Sequence, residues 1–103
     1  MAKWVAANEM VMIRIKNPVK SIILLNAKTK PEIPPEGVVA SMGKAAVEAL
    51  GQEYINNQVY FLPQMVREIF GNEEKDEHLF ACVPYQAIIA LLQPEETDGA
   101  ASH

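Results

Sequence analysis

Proline, glycine and asparagine divide this chain into short apolar segments, and this division limits what it can fold into. Residues 10–16 alternate, with Val11, Ile13 and Ile15 on one side and polar or long side chains on the other, which is typical of a half-buried strand. Five further segments rich in β-branched, aromatic or aliphatic residues are predicted as strands: 37–43, 58–62, 65–70, 79–83 and 88–92. About six short strands with turns between them predict an all-β fold, either a sandwich or a small barrel.

Two segments interrupt this β pattern. Residues 44–51 are rich in alanine and end at Gly51, but no residue caps their start, so they form either one short helix or an irregular excursion. Residues 93–103 are polar and have no apolar periodicity, so we expect a disordered C-terminal tail. Residues 1–92 are therefore predicted to form a single domain. Gly37 and Gly43, which flank one predicted strand, suggest a bend or a close backbone approach.

One run of consecutive apolar residues is compatible with two different structures. Ile22, Ile23, Leu24 and Leu25 are consecutive and lie between two basic segments that contain proline. With no polar residue to face solvent, the run is either a strand buried on both faces or an exposed apolar hook that awaits a partner. Periodicity favours the strand.

Composition excludes several classes of function. The formal net charge is −4 and no basic stripe with interleaved aromatic residues is present, so we expect no nucleic-acid partner. A single cysteine, Cys82, cannot form an intramolecular disulfide and lies in an apolar run, where a buried thiol is expected. No window has the length of a membrane-spanning helix, so no membrane partner is expected and the predicted localisation is cytoplasmic.

The chain offers few groups for catalysis. His78 and His103 have no nearby Cys or His to complete a metal site, and the carboxylates of residues 73–77 lack the alternating spacing of a calcium loop. No phosphate-binding loop or nucleophile elbow is present. We therefore expect no enzyme activity, no metal and no cofactor.

Four segments, in their order along the chain, carry a family resemblance over residues 10–92. They are Gly37-Val38-Val39-Ala40-Ser41-Met42-Gly43, Asn57-Gln58-Val59-Tyr60-Phe61, Leu79-Phe80-Ala81-Cys82-Val83 and Ile88-Ile89-Ala90-Leu91-Leu92. This succession resembles the GroES-type co-chaperonin family, in which a glycine-flanked strand, a "GD-x-V-x-F" strand, a hairpin and a closing strand follow one another. The resemblance implies a small GroES-like β-barrel.

The resemblance also implies a function. Members of that family form rings, commonly heptamers, that cap a GroEL-like chaperonin ring through an apolar tripeptide and so assist protein folding. Ile22, Ile23 and Leu24 occupy the position of that tripeptide here. We expect a divergent relative of this family that works in the cytoplasm, or in the host cytoplasm if it is viral. The alternative is a structural or virion-assembly module on the same barrel, with residues 22–25 packed as an ordinary strand. A small-ligand barrel is a third reading, but nothing in the sequence names a ligand.

Overall fold

The computed structural model describes residues 3–17 and 33–93, and these form six antiparallel strands and one α-helix. The strands are β1 (Met10–Lys16), β2 (Glu36–Met42), β3 (Gln58–Phe61), β4 (Glu68–Phe70), β5 (His78–Pro84) and β6 (Ile88–Leu91), and the helix is α1 (Lys44–Leu50). Single 3-10 turns lie at Gln52–Tyr54, Pro63–Met65 and Tyr85–Ala87. The predicted β-rich fold is confirmed.

The six strands belong to one sheet, in the order β4-β5-β1-β2-β3-β6. Strand β1 lies in its interior and pairs along its whole length with β5, from Met10 opposite Pro84 to Lys16 opposite His78. On its other side it pairs with β2, with a register shift between Met12 and Ile13. Such a bulge bends the strand and increases the local twist.

The alternation of β1 sends its β-branched side chains to the inner face of the sheet, as the sequence predicted. Val11, Ile13 and Ile15 are buried, and the strands on either side add side chains from the same face. The resulting core contains Val11, Ile13, Ile15, Val39, Ala46, Val59, Phe61, Leu79, Ala81, Val83 and Ala87. Phe61 is the largest of the fully buried side chains.

The sheet is not closed. Strands β4 and β6 stand at its two ends, and no ladder within residues 3–17 and 33–93 joins them. Register shifts interrupt the β1–β2 and β3–β6 ladders. The architecture is therefore a six-stranded antiparallel sheet with a helix, and the predicted barrel is not confirmed.

Residues 44–51 and 65–70 differ in how well the sequence predicted them. The first forms helix α1, which ends where Gly51 takes a φ of 108°, a conformation that favours glycine. The second was predicted as one strand, which is wrong at its start. Pro63 opens a 3-10 turn that extends to Met65, so strand β4 begins only at Glu68.

Close backbone approach explains Gly37, as its position suggested. A Cβ at Gly37 would lie 2.4 Å from the Ile13 side chain and 2.6 Å from the Arg14 carbonyl oxygen on the neighbouring strand.

None of the helices in the described part of the chain is long and apolar enough to cross a membrane. The predicted tail from residue 94 onward lies outside the described residues.

Candidate functional site

The predicted chaperonin-binding tripeptide, Ile22, Ile23 and Leu24, lies outside the described residues. The structure does position the two ends of the connection that contains it. Strand β1 ends at Lys16 and β2 begins at Glu36, and the two are antiparallel neighbours. The connection therefore leaves and re-enters the sheet at one end.

Both ends of this connection are held by hydrogen bonds. Asn17 is buried, with 2% of its surface exposed, and its side-chain amide donates to the carbonyl oxygens of Glu73 and Asp76 at 2.8 Å each. Its backbone N–H donates to the carbonyl of Glu77. At the other end, the N–H of Phe61 donates to the Pro35 carbonyl at 2.7 Å. The start and the return of the connection are thus fixed to the rest of the fold.

The acidic segment 71–77 is the hairpin connection that the sequence predicted, between β4 and β5. Asn72 organises it, because its side-chain oxygen accepts the backbone N–H groups of Glu74 and Lys75. The Asp76 carboxylate in turn accepts the N–H of Asn72 at 2.8 Å. The carboxylates face solvent, and no group of three or more His, Cys, Asp or Glu in the described part of the chain could hold a metal ion.

Cys82 is not in the core, which corrects the prediction of a buried thiol. In β5 the alternation turns Leu79, Ala81 and Val83 inward and leaves Cys82 on the outer face, where it is partly exposed. Its ladder partners are Glu68 on β4 and Met12 on β1. Partial burial, followed by the negative charge of Glu68, raises the pKa of the Cys82 thiol. A raised pKa disfavours the thiolate, which is the nucleophilic form.

Strand β6 is an edge strand with an apolar surface. It pairs with β3 on one side, and within the described residues no strand pairs on the other. Ile89 is 54% exposed and Leu92, just beyond the strand, is 61% exposed. An exposed apolar edge of this kind is a surface on which another chain can pair.

The outer face of the sheet carries a groove of 460 Å³ that the sequence analysis did not predict. Its floor is formed by outward-facing side chains of the central strands, among them Met12 and Phe80, and one wall is formed by residues 3–5. Trp4, in this wall, contacts Phe70 with ring centroids 5.6 Å apart. Apolar side chains thus form most of the lining.

The segment 3–9 that forms this wall is fastened to the sheet at several points. The N–H of Ala6 donates to the Ser41 hydroxyl oxygen at 2.9 Å, and the N–H of Ala46 donates to the Asn8 carbonyl at 3.1 Å. Gly43 permits this approach, since a Cβ there would lie 2.3 Å from the Asn8 carbonyl oxygen. The wall is therefore an integral part of the fold.

The sequence contained one signal for the groove, which is the placement of its single tryptophan, Trp4, ahead of the first strand. Comparisons with protein-family models, with curated proteins and with solved structures find no match to this chain.

Proposed function

We propose that this chain is a co-chaperonin: a ring-forming β domain that caps a GroEL-like chaperonin ring and assists protein folding without catalysis of its own. The chaperonin-binding residues in this proposal are Ile22, Ile23 and Leu24. The observation that carries it is the placement of their connection, which leaves β1 and returns to β2 at one end of the sheet and is anchored at both ends. A binding segment held in this way can reach a partner without disturbing the core.

The chemistry of the tripeptide suits a reversible contact. Burying an aliphatic side chain of this size contributes roughly 1.5–3 kcal/mol, so three of them support a weak single-site interaction after the cost of ordering the segment. Repetition around a heptameric ring would multiply this affinity through avidity. Weak individual contacts also allow the whole ring to dissociate.

The proposal includes a GroES-like barrel and a ring. Support for the barrel comes from the single core cluster, to which β1, β2, β3 and β5 all contribute, and from the register shifts in two ladders, since β-bulges bend the strands that contain them. Support for the ring comes from β6, whose apolar edge could pair with a neighbouring subunit. We assign this function to the cytoplasm, or to the host cytoplasm if the chain is viral.

Binding to a purified GroEL-like ring with nucleotide tests the proposal. The variant Ile22→Ser, Ile23→Ser, Leu24→Ser should lose binding in native mass spectrometry while keeping the thermal midpoint of the wild type. A control with three serines at Ala27, Lys28 and Thr29 changes the same connection and should still bind. The proposal fails if the wild type does not bind, or if the first variant binds as the wild type does.

A second measurement separates a binding segment from an ordinary strand. Under the proposal, the variant Ile23→Asp leaves the free energy of unfolding within about 0.5 kcal/mol of the wild type, as expected for a surface position. A buried, unpaired carboxylate would instead cost several kcal/mol. A loss of that size in urea denaturation would favour the assembly module, with residues 22–25 packed as a strand.

A further inference from the structure

The groove on the outer face has the size and lining of a small-molecule site. Its 460 Å³ falls within the roughly 300–1,000 Å³ that such sites occupy, and such sites are mostly apolar with a few convergent polar groups. The aromatic side chains of Trp4, Phe70 and Phe80 supply the apolar surface. The aromatic ring of a ligand can pack against the rings of these side chains.

The charges that line the groove are all of one sign. Lys3 and Arg14 are among its lining residues, and none of the described residues that line it is an Asp or Glu. This is unlike the chain as a whole, which has 13 acidic residues against 9 Lys and Arg. Two cations beside apolar walls, without a carboxylate between them, favour a ligand that brings its own negative charge.

Hydrogen-bond donors accompany these charges. The Ser41 hydroxyl oxygen accepts the N–H of Ala6, so its own proton can be donated to a ligand oxygen. The Arg14 guanidinium presents a planar fork that matches a carboxylate, and Asn56 is a further polar residue of the lining. The polar lining thus includes residues of β1, of β2 and of the turn before β3.

We propose that this groove binds a small organic anion in which one carboxylate is attached to an aromatic body. The carboxylate contacts Arg14 and Lys3, and the ring packs among Trp4, Phe70 and Phe80. The site lies on the outer face of the sheet and does not depend on the proposed chaperonin contact.

A matched pair of probes isolates the role of charge. 4-Phenylbutyrate and 4-phenylbutan-1-ol share an aromatic body and differ in the carboxylate. Trp4 is the only tryptophan, so its fluorescence reports binding directly, and chemical shifts of the amides of residues 3–5 give a second measurement. We expect saturable binding of the acid and binding at least about tenfold weaker for the alcohol, a difference of about 1.4 kcal/mol or more.

The chain also offers a matched control for the cation. Arg14→Gln should weaken binding of 4-phenylbutyrate by about tenfold, whereas Arg67→Gln, the same change at an exposed arginine that does not line the groove, should leave it unchanged. Because Arg14 is exposed, both variants should keep the thermal midpoint of the wild type. The proposal is overturned if acid and alcohol bind equally, if neither gives a saturable change up to its solubility, or if both variants bind the acid alike.

Discussion

Gly43→Ala tests how the N-terminal segment is held against the sheet. Gly43 has φ −70° and ψ 168°, a conformation that alanine adopts without strain. At such a position a change from glycine to alanine ordinarily stabilises a protein by about 0.4–1 kcal/mol, because it restricts the unfolded chain. Here the added Cβ would lie 2.3 Å from the Ala7 carbonyl carbon and 2.4 Å from the Asn8 nitrogen, both backbone atoms. We therefore expect the opposite sign.

The size of the loss follows from the two ways in which the chain can relax. If the segment stays in place, overpacking costs about 1–3 kcal/mol. If it moves away, hydrogen bonds such as those between Asn8 and Ala46 and between Ala6 and Ser41 are lost, at about 1 kcal/mol each. The restriction of the unfolded chain by alanine offsets part of this loss, so the free energy of unfolding should fall by about 1–2 kcal/mol in total. For a domain of this size that lowers the thermal midpoint by roughly 4–16 °C.

Urea denaturation followed by circular dichroism measures this loss, and a shortened chain provides the control. In a protein that lacks residues 1–8 the clashing backbone is gone, so Gly43→Ala should become neutral or stabilising by up to about 1 kcal/mol. The reasoning is refuted if Gly43→Ala in the full chain is as stable as the wild type, or if its cost is the same in the shortened chain.

Three further predictions concern other parts of the fold. Phe61→Ala should lower the free energy of unfolding by about 3–5 kcal/mol in urea denaturation, since it empties the largest fully buried position. Asn17→Ala should lower the free energy of unfolding by about 1–3 kcal/mol, because the carbonyl oxygens of Glu73 and Asp76 lose their hydrogen-bond donor. It should also speed amide exchange in the 71–77 hairpin. The raised pKa of Cys82 should make alkylation slower at pH 8 than for an unfolded-chain thiol, and Glu68→Gln, which removes a nearby negative charge, should speed it.

Where a local pattern decides the structure, the sequence was sufficient. The alternation of β1 assigned Val11, Ile13 and Ile15 to the core because period two places these three side chains on the same face of the sheet. The same rule, applied to β5, would have turned Cys82 outward, since it alternates with the buried Ala81 and Val83. The prediction of a buried thiol was based on the apolar residues next to Cys82 in sequence, and not on the alternation of the strand.

Where contacts between distant segments decide, the sequence left the outcome open. Helix α1 has no side-chain cap, yet Ala46 is fully buried and its N–H donates to the Asn8 carbonyl, so a tertiary contact supports a segment that is marginal by itself. The groove depends in the same way on contacts of residues 3–5 with residues far away in sequence, such as that of Trp4 with Phe70. No local pattern encodes those contacts.

The central position of β1 has a consequence for how the chain assembles. Its longest ladder pairs it with His78–Pro84, so β1 gains this partner only after β2, β3 and β4 have been synthesised. Contacts between such distant segments slow folding, because loop closure is costly before the pairing stabilises it. During synthesis Met10–Lys16 can pair with β2 first, and its other edge stays open to association with other nascent chains until β5 emerges. We therefore expect the yield of folded protein to depend on the rate at which β5 pairs with this edge.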